Sequence, residues 1–259
     1  MNNRLIRWLV AQLRAIDEQY RTEPLPSVQP AAILVTAALA LILPRYFGQT
    51  QTFEKSQWLV AATGHLPYPD LHPHLYWAAF KLVNYGLLPA LCIHFVLKQK
   101  IRDFGLRFVR EPKVWLLYAA MVAAVVPLAY FASTTDSFLR TYPKYPGAGA
   151  SVTGLLLWEL AYAFQFLMLE FFFRGFLIFS LARYIGSLAL FVMIVPYAMI
   201  HFGKPLAECL GSILAGIALG TISLRTGSIY GGVLVHCAVA WSMDLFALHA
   251  TGRLPSLMN

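Results

Sequence analysis

Seven runs of apolar residues, most of them near the length of a membrane crossing, constrain this chain more than any other feature. They cover 28–47, 75–97, 113–133, 151–181, 186–203, 206–224 and 228–249. A helix needs about 20 residues to cross the hydrocarbon of a bilayer. In lipid every backbone N–H and C=O must be bonded internally, so a crossing segment is a helix or a strand of a closed barrel. Barrel strands alternate apolar and polar residues, whereas these runs are continuous, and helices are predicted. The fourth run is longer than a crossing requires; the fifth and sixth are short. Composition agrees, with 59% of 259 residues apolar and only 12% charged, against about 25% charged in an average soluble domain. A soluble core of this size could not hide so much apolar surface. The expected fold class is all-α, a polytopic transmembrane helical bundle of about seven spans preceded by an amphipathic helix.

That N-terminal helix is read over 1–23, where Leu5, Trp8, Leu9, Leu13 and Ile16 recur at helical spacing among Arg4, Arg7, Arg14 and Arg21. A cationic helix with a tryptophan suits a membrane surface, although a solvated capping helix has the same pattern. Pro24 and Pro26 are expected to end it. Two regions follow: a cytoplasmic amphipathic segment, 1–27, and a single transmembrane domain, 28–259. With the N-terminus inside, the inner segments hold Arg4, Arg7, Arg14, Arg21, Lys98, Lys100, Arg102, Arg107, Arg110, Lys113, Arg183 and Arg225. The outer segments hold Arg45, Lys55, Arg140, Lys144, Lys204 and Arg253. This excess predicts an integral membrane protein with a cytoplasmic N-terminus, and fits a bacterial inner membrane. The net charge of +8 therefore points to anionic headgroups of the lipid bilayer, and nucleic acid is not expected as a partner.

Several features carry no chemistry. Cys92, Cys209 and Cys237 all sit inside apolar runs, as packing residues do, without a disulfide framework or a CxxC pair. No apolar core followed by a small-residue cleavage site opens the chain, so no removable signal peptide is expected. Gly211, Ala215, Gly216 and Gly220 would let the sixth span approach a neighbour closely. The segments 48–74 and 134–150 read as ordered but irregular outer loops. Within the first, His72 and His74 are split by Pro73, which spoils a compact ligand set with His65 and Asp70.

The informative residues are the ionisable ones inside the apolar runs, where charge is costly and marks candidate function. The last four runs contain Glu159, Glu170, Arg174, His201, Glu208, His236 and Asp244. Glu170 and Arg174 are four residues apart, so they can pair across one helical turn. Such a pair can also be purely structural. Two histidines alongside a buried carboxylate point to a metal or acid–base site. At about 1.5 Å per residue, Glu170 lies roughly 15 Å from the inner end of its run, His236 roughly 12 Å and His201 nearer 22 Å. Glu208, past the break at Gly203 and Pro205, either faces the same cavity or sits at the start of the sixth span, where a carboxylate is favoured. Asp244 is balanced between site and structure, and Glu159 reads as a hydrogen-bonded residue of the bundle interior.

At these residues the chain resembles the CAAX-protease and bacteriocin-processing (CPBP, or Abi) family of intramembrane metalloproteases, over about 100–245. That family carries EExxxR, FxxxH and HxxxN on successive helices. Here the first motif reads Leu169-Glu170-Phe171-Phe172-Phe173-Arg174, followed by Gly175. The second reads Tyr197-Ala198-Met199-Ile200-His201 and the third His236-Cys237-Ala238-Val239-Ala240. FGLRF before the third run and RTGSIYGGVLVH before the last agree as well. Leu169 stands where the family has its first, usually catalytic, glutamate; Tyr197 replaces phenylalanine, a mild change; Ala240 replaces the asparagine associated with the oxyanion.

The resemblance implies an intramembrane endopeptidase acting on a membrane-associated peptide or protein. Glu170 would be the general base on a water, Arg174 would orient it, and His201 and His236 would position the water, polarise the carbonyl or bind a divalent metal. Glu170, His201 and His236 are the implied metal ligands and zinc the implied metal, with Glu208 and Asp244 as secondary site candidates. The alternative is a catalytically inactive scaffold, sensor or immunity protein that keeps the fold.

Overall fold

The computed structural model describes residues 3–23 and 28–255; the Pro24 and Pro26 helix stop lies outside the described residues, as do the side chains of Leu5 and Leu9. Among the described residues there is no strand, only an isolated bridge between Leu106 and Ser228. The principal helices are α1 (Asn3–Tyr20), α2 (Val28–Tyr46), α3 (His72–Val96), α4 (Pro112–Ala132), α5 (Val152–Ile185), α6 (Leu188–Met199), α7 (Leu206–Thr226) and α8 (Tyr230–Ala250). Six of them, α2, α3, α4, α5, α7 and α8, are long and apolar enough to cross a membrane. The protein is an integral membrane protein built as a polytopic helical bundle.

The fifth predicted span differs. Helix α6 has 12 residues, which rise about 18 Å against a hydrocarbon core of about 30 Å. Pro196 lies inside it, and the chain leaves the helix at Ile200. The segments 48–74 and 134–150 are also more regular than expected. Thr50–Lys55 and Gln57–Thr63 are helical, the second capped by the Ser56 side chain, which accepts from Leu59 N–H. Asp136–Leu139 forms a helical turn and Pro146–Gly149 a 3₁₀ turn.

The chain falls into two compact units. The first comprises Met1–Ala38, Leu88–Arg110 and Glu170–Tyr230; the second comprises Leu39–Leu87, Glu111–Leu169 and Gly231–Asn259. In the first unit the core is the C-terminal part of α5, whose Phe172, Phe173, Phe176 and Ile178 are fully buried. Its turn into α6 is sharp. Gly186 adopts φ +56°, and a Cβ there would sit 2.2 Å from Asp17 Oδ1 of α1. That carboxylate accepts from Ser187 N–H at 2.6 Å, and Tyr20 donates to the Leu224 carbonyl at 2.7 Å. The C-terminal half of α1 is thus locked in place, while Ile6, Trp8 and Val10 of its first half stay exposed.

Helix α7 follows the sequence rules for its ends. Glu208 lies in its first turn, Arg225 in its last, and Gly227 closes it in the left-handed conformation. The small residues of α7 are not equivalent. A Cβ at Gly216 or Gly220 would meet side chains of α6, whereas one at Gly211 would meet nothing within 4 Å.

In the second unit an aromatic ladder runs along α5. Trp158 stacks on Tyr162 with centroids 4.8 Å apart, Tyr162 meets Phe166 at 4.4 Å, and Phe166 stacks on His236 at 5.3 Å. Phe138, Tyr142 and Ala247 form a smaller cluster beside it. Asp70, just before α3, accepts from the Tyr145 hydroxyl at 2.5 Å, and His74 lies against the rings of Tyr145 and Trp158. His72 Nε2 bonds the Pro67 carbonyl at 2.9 Å.

Candidate active site

The motif that begins at Leu169 changes the character of its own helix. From Phe171 to Ile178 α5 is wound as a π-helix, and every residue of the stretch is buried. Wide turns of this kind are rare and concentrate at functional positions. Glu170 and Arg174 bracket its first turn. Nη1 of Arg174 lies 3.0 Å from Oε1 of Glu170, and neither side chain has any exposed surface. The pairing expected from the spacing is present, and it is fully buried.

Its third member is Tyr197 of α6. The Arg174 guanidinium carbon sits 4.0 Å from the centre of the Tyr197 ring, and Phe173 meets the same ring edge-on at 5.1 Å. A desolvated cation over an aromatic face is worth about 2 kcal/mol or more. The exchange of phenylalanine for tyrosine in the second motif therefore concerns a residue in direct contact with the ion pair. The sequence carries one signal for this: a tyrosine inside an otherwise apolar run brings a polar hydroxyl into the interior.

Helices α5 and α6 run antiparallel across the Gly186–Ser187 turn. With Arg174 opposite Tyr197, one turn back along α5 reaches Glu170 and one turn onward from Tyr197 reaches His201. The rise from Glu170 to Ile185 is about 22 Å and from Leu188 to His201 about 20 Å. The mismatch in depth left by the apolar-run boundaries disappears, because α5 extends to Ile185.

His201 stands in the turn just after α6 rather than within it. Its Nδ1 lies 2.8 Å from the Tyr197 carbonyl and its ring packs edge-on against the Tyr197 ring at 4.8 Å. A carbonyl only accepts, so Nδ1 carries the proton and Nε2 is the basic nitrogen. The Cys209 thiol donates to the His201 carbonyl at 2.9 Å, which pins the turn. Glu208 bonds Lys204 Nζ at 2.6 Å.

His236 belongs to the second unit and repeats the arrangement of His201. Its Nδ1 lies 3.2 Å from the Gly232 carbonyl, again one turn back, and Phe166 fixes the plane of the ring. Both motif histidines therefore hold the same tautomer.

The two remaining acids of the second unit part company. Asp244 has no exposed surface and accepts from Lys144 N–H at 2.8 Å and from Trp158 Nε1–H at 2.9 Å. That is the bonding of a structural carboxylate tying a loop to two helices. Glu159 is 8% exposed, and both of its carboxyl oxygens are buried with no hydrogen-bond partner among the described residues. The hydrogen bond expected for it reaches only its backbone, whose carbonyl accepts from Trp241 Nε1–H at 3.2 Å.

Among the described residues no group of three or more His, Cys, Asp or Glu side chains gathers as a metal site. In the first unit Glu170 pairs with Arg174.

Two of the softer sequence features bind each other. The Gly105 carbonyl of FGLRF accepts from Ile229 N–H at 2.9 Å, beside the Leu106–Ser228 bridge. The same loop closes over α5: a Cβ on Gly175 would lie 2.7 Å from the Phe104 carbonyl oxygen.

Residues 151–242 match the family model described as type II CAAX prenyl endopeptidase Rce1-like. The matched segment contains all three motifs. No curated protein and no solved structure matches the chain.

Proposed function

We propose, from the place of residues 151–242 in the CAAX endopeptidase family, that this chain is an intramembrane endopeptidase that cleaves a membrane-associated peptide or protein. The observation that carries the reading is the buried Glu170–Arg174–Tyr197 cluster with His201 one turn away in the same unit. Arg174 pairs with the Glu170 carboxylate and offsets the cost of burying its charge. His201, with a basic Nε2, accepts a hydrogen bond from the attacking water and positions it. His236, in the same tautomer, presents an acceptor Nε2 and is assigned to the water by its motif. Glu170 is the general base, and Arg174 is a positioning residue. Zinc remains the metal that the family resemblance implies, and its presence is a matter for direct analysis of the purified chain.

The test is membrane proteomics of cells carrying the native chain, Glu170→Gln or His201→Asn. A processed peptide present only with the native chain is the expected result. An identical peptide pattern in all three, at equal protein abundance, removes the assignment.

A second reading, an inactive scaffold, is favoured by one observation. Leu169, at the position of the family's first glutamate, is an ordinary buried residue at 5% exposure, and the glutamate that remains is held by an arginine. On that reading all three proteins leave the membrane proteome unchanged. The cytoplasmic N-terminus and the bacterial inner membrane stay part of the proposal, resting on the distribution of Lys and Arg, and are tested by reporter fusions at each end.

A further inference from the structure

We infer that the loop after α3 forms a binding recess for the phosphate of an anionic lipid headgroup. An open recess of about 420 Å³ is lined by His94, Lys98, Gln99, Lys100 and Ile101. No carboxylate lines it. It lies in the first unit, where the crossing helix α3 ends, so its height is that of the headgroups. Phe95 is 67% exposed, and Val96 and Ile101 beside it are exposed too. These side chains suit acyl chains, while the lysine stems carry their ammonium groups to the interface.

Lysines at a helix end often serve only to offset its negative pole. Here three carbonyls of that end already have partners. Leu97 N–H bonds the Cys92 carbonyl and Gln99 N–H the Ile93 carbonyl, both at 3.0 Å, and the Gln29 amide reaches the Val96 carbonyl. Nor are the two lysines half of an ion pair. The nearby carboxylate of Asp103 is taken by Arg107 at 2.6 Å and approached by Arg102 at 4.0 Å. No ion pair among the described residues involves Lys98 or Lys100. Lys98 holds φ +55°, a conformation that a non-glycine residue adopts at a cost. Two uncompensated cations over a preformed concave wall match a phosphodiester at the membrane surface. A free phosphate shares this chemistry. The adjacent exposed apolar residues favour the lipid.

The test uses the full chain purified in detergent, with bound lipid counted by native mass spectrometry after addition of phosphatidylglycerol or phosphatidylcholine. The native chain is expected to retain phosphatidylglycerol preferentially and to release it as salt is raised. Lys98→Gln combined with Lys100→Gln should weaken that retention about 30-fold, leaving phosphatidylcholine unchanged. Arg4→Gln combined with Arg7→Gln should have no such effect. Equal retention of the two lipids by the native chain overturns the site, a result that does not depend on any variant folding. So does undiminished phosphatidylglycerol binding by the lysine variant, or an equal loss on changing α1. Displacement of the lipid by inorganic phosphate at matched concentration assigns the recess to free phosphate and overturns the lipid. None of these readouts involves proteolysis.

Discussion

Arg174 of α5 and Tyr197 of α6 are stacked, guanidinium carbon to ring centre, at 4.0 Å. That contact fixes how the first two motifs meet. It sets the register of two antiparallel helices, brings Glu170 level with His201, and gives the buried cation a partner besides the Glu170 carboxylate 3.0 Å away.

The first prediction concerns that ion pair. Removing one member of a buried pair leaves an uncompensated charge, at a cost of about 3–5 kcal/mol. Glu170→Ala should therefore lower the thermal stability of the detergent-solubilised protein sharply, and its loss of cleavage would be uninterpretable. Glu170→Gln also leaves the Arg174 charge uncompensated but keeps the volume and an acceptor for it, so it should cost less stability than Glu170→Ala while abolishing cleavage. Replacing both, Glu170→Leu with Arg174→Met, should recover most of the stability lost by Glu170→Ala and none of the activity. A double variant no more stable than Glu170→Ala would show that the pair is not the source of the loss.

The histidines give a second prediction. Asparagine places an amide N–H near the position of Nδ1, so His201→Asn should keep the bond to the Tyr197 carbonyl and cost under about 1.5 kcal/mol. It lacks Nε2, and cleavage should fall by at least about a hundredfold. The same holds for His236→Asn and the Gly232 carbonyl. Elemental analysis of the native chain and the double asparagine variant decides the metal. One zinc per chain, lost on substitution, adds the metal to the mechanism; cleavage by a zinc-free chain removes it.

Asp244 and Glu159, two acids of one unit, should respond in opposite directions. Asp244→Asn sets an amide against two N–H donors and should cost about 1.5–3 kcal/mol. Glu159→Met removes a buried carboxyl whose oxygens lack partners among the described residues, and should raise stability by about 1–3 kcal/mol. Thermal unfolding in one detergent reads both. A stabilised Glu159→Met protein with reduced cleavage would identify Glu159 as a functional residue retained at the expense of stability.

Gly175 and Gly211 make the last comparison. At Gly175 a methyl group would lie 2.7 Å from the Phe104 carbonyl oxygen, a backbone atom that cannot rotate away. Gly175→Ala should cost about 1–3 kcal/mol and loosen the FGLRF loop. Gly211→Ala meets nothing within 4 Å and should be neutral or stabilising by up to about 1 kcal/mol. Limited proteolysis of the 98–110 loop together with thermal unfolding checks both.

Local chemistry made much of this protein legible from its residues in order. Continuous apolar runs force helices on a chain in lipid. The four-residue spacing of Glu170 and Arg174 predicts their pairing, and the motifs resemble a CAAX-protease family of which an Rce1-like model matches residues 151–242. Folding alone decided the rest, because it depends on distance through space. Which helix is too short to cross was fixed by the turn after α6. The use of Asp244 by a tryptophan and a loop, the seating of Arg174 on Tyr197, and the burial of a Glu159 carboxyl that has no hydrogen-bond partner among the described residues all depend on residues far apart in sequence. Burial turned the last of these from a conservative aromatic exchange into a contact with charge, since a low-dielectric interior makes every such neighbour count.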